Sequence, residues 1–162
     1  MSVSAQAEGE QFVAELADPL SLRSPVGGPR GLLLDIAYVF IVEGIGQARF
    51  RPRSRVVTRM YEYRLLDHHH KELLVYHWQP GPGARGPDHP HLHISAALHA
   101  QVDAVTRREI GLDKLHVETG RVSLEAVIRM LITEFRVALR RHDWRETLDR
   151  TRPDLNASLD TR

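Results

Sequence analysis

The chain reads as an α+β protein: a small antiparallel sheet of about four strands, with a C-terminal amphipathic helix packed on one face. Three observations carry that reading. Runs rich in β-branched and aromatic residues fill the first two thirds of the sequence, Gly/Pro-rich stretches punctuate them, and helical periodicity sets in only near the C-terminus. A length of 162 residues suits one core. That domain is drawn over 31–152, after an N-terminal segment and linker over 1–30 and before a flexible tail over 153–162.

Residues 1–10 are small and polar, and are expected to fray. From Gln11 to Ala17 the apolar positions Phe12, Val13 and Leu16 suggest a short helix, ended by a linker holding Pro19, Pro25, Gly27, Gly28 and Pro29. LLLDIAYVFIV, from Leu32 to Val42, has the composition of a buried strand, and Gly44 and Gly46 mark a turn or bulge after it. Val56 to Leu66 and Leu73 to Trp78 read as two further strands, joined by a hairpin connection at Asp67 to Lys71. The stretch from Pro80 to Pro87 holds three prolines and three glycines, which excludes regular structure. It leads into a fourth strand, His89 to Ser95. Ser123 is a good N-cap, and Leu124, Val127, Ile128, Leu131, Ile132, Phe135 and Leu139 follow at helical spacing. Asp143 with Glu146 resembles a capping box for a short second helix through Leu148, stopped before Pro153.

Hydrophobic residues at 42% and charged residues at 27% exclude a wholly disordered chain. Cysteine is absent, so disulfides, thiolate zinc sites and cysteine nucleophiles are excluded too. No run reaches the ~20 apolar residues of a membrane span, and MSVSAQAEGEQ lacks the basic and apolar regions of a signal peptide. A cytoplasmic location without membrane contact is the expectation. Twenty-two basic residues against 21 acidic ones give a net charge of +1, which supplies no global attraction to nucleic acid. Only Lys71 and Lys114 are lysines, as compositional bias would produce. Arg49, Arg51, Arg53 and Arg55 recur every second residue and could track phosphates, but Pro52 and the run of charge favour a solvated loop.

The residues that point to chemistry lie in His89-Pro90-His91-Leu92-His93-Ile94-Ser95. In a strand, period two puts His91, His93 and Ser95 on one face and Leu92 and Ile94 on the other. The aliphatic pair should face the helix, leaving the imidazoles on the opposite face beside the Gly/Pro loop. Two imidazoles at i and i+2 can act as an acid–base pair or as two legs of a metal site. On an exposed face, their replacement by alanine should leave stability nearly unchanged. His89 brackets the pair. His77 could join it from the hairpin partner strand, but register is not readable from sequence. His116 leads toward the helix, and Arg85 in the loop could hold an anion. His68, His69 and His70 belong to an exposed turn with no expected role. Tyr61 and Tyr63 share a strand face, where they either pack or stack on a base. No metal and no cofactor is expected: catalytic zinc needs three protein ligands, and a third from His77, His116 or Glu62 is not secured.

Tyr76-His77-Trp78, the Pro-rich loop, Pro90-His91-Leu92-His93 and Ser123-Leu124-Glu125-Ala126-Val127 together resemble the layout of TumE-type toxins of bacterial toxin–antitoxin pairs, in order and spacing over roughly residues 55–135. Leu92 stands where that family usually has a lysine between histidines. The resemblance implies an antiparallel sheet, a histidine segment after a loop and a following helix. It also implies a toxin-like protein acting on RNA or nucleotides, with an antitoxin partner. The seven residues from His89 to Ser95 are also similar to the motif of histidine-triad nucleotide hydrolases, which would make His91 a nucleophile toward phosphorus. Pro90 fits that motif poorly. His93-Ile94-Ser95 fits half of a two-histidine phosphoesterase motif, and His116-Val117-Glu118 lacks the hydroxyl of the other half.

The reading is a toxin-like protein in which His91 and His93 carry general acid–base catalysis on RNA or a nucleotide, with His89, Ser95, His77, Arg85 and His116 around the ligand. The alternatives are a histidine-triad-like hydrolase and a non-enzymatic metal- or protein-binding module. A homodimer is expected, because a four-strand sheet with one helix leaves a mixed face and open edges to cover. The competing arrangement folds residues 11–30 over that face within one chain.

Overall fold

The computed structural model describes residues 2–6, 11–24, 29–45, 53–81, 87–95, 99–103, 108–111 and 116–151. Along the chain run strands β1 (Ser2–Gln6), β2 (Gln11–Glu15), β3 (Leu20–Arg23), β4 (Pro29–Ile45), β5 (Arg53–Asp67), β6 (Glu72–Trp78), β7 (His91–Ile94), β8 (His99–Asp103), β9 (Arg108–Gly111) and β10 (His116–Glu118), then helices α1 (Leu124–Thr133) and α2 (Trp144–Thr151). The fold is α+β and its main sheet is antiparallel. That sheet is larger than the four strands expected: its path is β1-β2-β4-β5-β6-β7-β10, with β3 also paired to β4, while β8 and β9 form a separate two-stranded ribbon.

The 17-residue β4 and 15-residue β5 form the spine. Their pairing runs from Leu32 opposite Asp67 to Ile45 opposite Arg53, with one bulge near Val39 and Phe40. The segment before β4 is where the sequence reading fails most. Residues 11–15, expected as a helix, are a strand paired with β4 from Glu15 opposite Ala37 to Gln11 opposite Ile41. Phe12 stacks on Phe40 with ring centroids 5.3 Å apart, a cross-strand contact that overrides weak local propensity. Residues 2–6, expected to fray, pair with β2, and β3 pairs with β4 at Leu20–Leu34 and Ser21–Leu33. Residues 11–15 and 20–23 therefore lengthen the sheet edgewise and do not cap a face.

One face of the sheet carries the core. Leu34, Tyr61, Tyr63, Leu65 and Trp78 meet Val127 and Leu131 of α1, with Leu22 of β3 completing the cluster. Ser123 caps α1 as expected, its side chain accepting the Ala126 N–H at 3.2 Å. The helix ends at Thr133 and does not reach Leu139. Arg136 adopts φ +50°, and the chain turns back so that the Val137 N–H donates to Leu131 O and the Ala138 N–H to Arg23 O. Phe135 and Val137 pack on the core from this non-helical segment, while Leu139 is exposed. A hydrogen bond back to α1 and one to β3 thus replace the last helical turn. α2 begins at Trp144, after Asp143, whose carbonyl accepts the Thr147 N–H, and it runs past Leu148 to Thr151. Among the described residues, no helix is long and apolar enough to cross a membrane.

Candidate functional site

The face of the sheet away from α1 carries the histidines. Tyr76 packs against the core and its hydroxyl reaches Met130 Sδ, and Leu92 pairs with Tyr76, so Leu92 lies on the helix side. Period two then places His77, His91 and His93 on the opposite side. The registers form two rows across the strands: Glu62, His77, His91 and Glu118 in one, and Arg64, Val75, His93 and His116 in the next. Residues opposite one another in such rows have Cβ atoms ~5 Å apart, so this register assembles a side-chain cluster.

The rings of His91 and His93 lie 4.7 Å apart between centroids, those of His77 and His91 5.3 Å, and those of His77 and His93 6.2 Å. One ligand nitrogen from each of the three falls within 4.8 Å of the others. His77 is thus the third member that the sequence could not place, and the expectation of no metal loses its premise. His91 is 2% exposed although it faces away from the helix. That corrects the expectation of an exposed pair. Rings of His77, His89 and His93 surround it. Its Nδ1 donates to the His89 carbonyl at 2.7 Å, a contact that assigns the proton to Nδ1 and the basic lone pair of the neutral ring to Nε2.

Glu62 extends the site toward β5. Its Oε2 lies 3.9 Å from His77 Nε2, and its Oε1 lies 3.3 Å from Arg64 Nε. Arg64 is in turn ion-paired with Asp35 of β4. Partial burial works to lower the Arg64 pKa, but its hydrogen bond to Asp35 and the charges of Asp35, Glu62 and Glu72 outweigh that effect and raise it. Paired charges therefore run from Asp35 through Arg64 to Glu62, whose carboxylate faces His77. An open pocket of about 310 Å³ adjoins the cluster, with Glu62, Glu72, Val75, His77, His93 and Ser95 in its lining.

Of the other expected site residues, Ser95 reaches the pocket and is held there by its N–H to Leu73 O at 3.0 Å. His89 is exposed, and contributes its backbone carbonyl to His91 and its ring 3.9 Å from Asp88. The strand register sets His116 opposite His93, and its side chain lies outside the described residues. Arg85 lies outside them as well, as do Arg49, Arg51 and Pro52. Arg55 is exposed and ion-paired with Glu43 at 2.8 Å. His68, His69 and His70 are exposed on the β5–β6 turn, where the Asp67 side chain accepts the His69 and Lys71 N–H groups. Tyr61 and Tyr63 do share a face, but it is the core face: each is 2% exposed, and they stack on each other at 4.9 Å. They cannot stack on a base.

Asp35 and Arg64 join the site only through the sheet register. Their signal was present as charged residues interrupting apolar strands, Asp35 within LLLDIAYV and Arg64 within YEYRLL, on the parity that faces the histidines. Comparison with protein-family models, curated proteins and solved structures finds no match to this chain.

Proposed function

We propose that His77, His91 and His93, with Glu62, form the working centre of a hydrolase whose substrate is a phosphodiester of RNA or a nucleotide, in the manner of a toxin-type nuclease. The observation that carries the reading is the convergence of three imidazoles from two neighbouring strands beside an open pocket. Burying an imidazole as deeply as His91 has a desolvation cost that an aliphatic residue would avoid, which favours a working role over packing. Imidazoles in this arrangement activate an oxygen nucleophile by taking its proton or by holding a metal that acidifies it.

The reading includes two partners: an antitoxin protein and a second copy of the chain. The face away from α1 holds half-buried Val39 and Met60, paired across β4 and β5, near the charged rows. Such a mixed surface suits a two-fold interface.

The test is hydrolysis of a short RNA and of bis(4-nitrophenyl) phosphate by untagged protein, compared with H77A and H93A. Loss of at least ~100-fold in both variants, with the fold retained by circular dichroism, is the expected result. Equal activity in all three proteins, or none toward either substrate, overturns it.

A further inference from the structure

We propose that His77, His91 and His93 bind one divalent transition-metal ion of the zinc type, with Glu62 as the carboxylate that orients His77 and the pocket as the open coordination side. The inference rests on reading this cluster as the working centre, but its test needs no substrate.

Four observations support it. The donor set is right: three neutral imidazoles with one position left open is a ligand set of catalytic zinc, and imidazole favours zinc-like ions over magnesium or calcium. The spacing is right: ligand nitrogens within 4.8 Å of one another need draw in by at most about 1.5 Å to reach the ~3.3 Å separation of a tetrahedral site with bonds of about 2.0–2.1 Å. Side-chain rotation alone covers that distance, because the Cα positions are already set by neighbouring register.

The surroundings are right as well. A ligating histidine typically gives its other nitrogen's proton to a carbonyl or carboxylate, which fixes the tautomer and ring orientation. His91 does this with Nδ1 to the His89 carbonyl at 2.7 Å, which makes Nε2 its donor atom. Glu62 Oε2, 3.9 Å from His77 Nε2, stands where the same device would operate, and Arg64, tied to Asp35, holds the carboxylate from its other side.

The fourth observation is electrostatic. Glu62 and Glu72 both line the pocket, so the protein's own charges there repel a phosphodiester. A dication held by neutral ligands reverses the sign of the field at the histidine end, and can polarise a phosphoryl oxygen. Such an ion would offset the acidic lining for an anionic substrate.

The experiment is isothermal titration of untagged, chelator-treated full-length protein with zinc sulfate, with cobalt(II) chloride as a spectroscopic probe of coordination. The exposed His68-His69-His70 turn is the competing binder, so an H68A/H69A/H70A variant is the essential control. One zinc per chain is expected, retained in that control, with at least ~100-fold weaker binding in H77A and in H93A and a weakening of about 10–100-fold in E62Q. Binding lost in the control, unchanged in H77A and H93A, or absent altogether overturns the metal centre; native affinity in E62Q removes Glu62 from it. Stoichiometric zinc without phosphodiester cleavage would sink the hydrolase and leave the metal site standing. Cleavage by protein shown to be metal-free would do the reverse.

Discussion

His77 of β6 stands directly opposite His91 of β7, with ring centroids 5.3 Å apart and ring planes at 75°. A shift of one residue in the β6–β7 pairing would turn one ring to the core face and dissolve the cluster. Register is pinned from both sides. Tyr76 and Trp78 must face the core, and the Trp78 Nε1–H donates to the Asp88 carbonyl at 3.1 Å, which ties the incoming loop to the end of β6.

The two strand histidines should differ in their effect on stability. His91 is buried and donates to the His89 carbonyl, so H91A removes a buried ring together with its hydrogen bond and should cost about 1–3 kcal/mol. His93 is only half-buried, and H93A should cost less than ~1 kcal/mol. Urea denaturation followed by circular dichroism measures both; equal midpoints for the two variants would contradict the burial difference.

Alkaline stability should be governed by buried phenols. Burial raises the pKa of Tyr61, Tyr63 and Tyr76 above the ordinary value of 10.0. For Tyr61, its bond from the Val122 N–H and the nearby Arg121 charge only partly offset this. A raised folded pKa means that the stabilisation is complete below pH 10 and is lost as pH climbs toward the folded values. The urea midpoint should therefore fall above pH 10, with tyrosinate absorbance appearing together with unfolding. Y63F should flatten that fall.

The acid side has a different origin. The hydrogen bond from Arg141 depresses the Asp143 pKa to about 2, and backbone hydrogen bonds from Lys71 and His69 lower that of Asp67. Depressed folded values mean that these contributions are present above the ordinary carboxylate value of 3.8 and vanish as pH falls toward 2. Asp143 is exposed and Asp67 only half-buried, so the effect should be small and weaker in high salt. D143N should remove part of the acid dependence of the α2 signal; an unchanged pH profile in D143N argues against the Arg141 pairing in solution.

Self-association is open to direct measurement. Residues 11–15 and 20–23 extend the sheet and do not cap the face away from α1. With Val39 and Met60 on that face, two copies should associate across it, and static light scattering should return twice the chain's 18.4 kDa. M60E should then yield a monomer with an unchanged circular dichroism spectrum. A monomeric native protein at tens of micromolar would refute the interface.

Much of this molecule is determined locally. The strands β4 to β7 and the capped start of α1 follow from composition, turn residues and periodicity, and the parity that puts His91 and His93 on one side and Leu92 on the other follows from period two alone. What brings His77 and Glu62 to that pair is non-local. Whether His77 meets His91, whether Glu62 lies beside His77, and whether His91 is buried depend on cross-strand register, which joins residues far apart in sequence. The same holds where the local reading failed. Gln11–Glu15 is a strand because β4 offers it an edge and Phe40 a ring, and α1 stops at Thr133 because β3 supplies the Arg23 carbonyl to Ala138. In each case a backbone or ring partner elsewhere in the chain outweighs a local preference of a few tenths of a kcal/mol per residue.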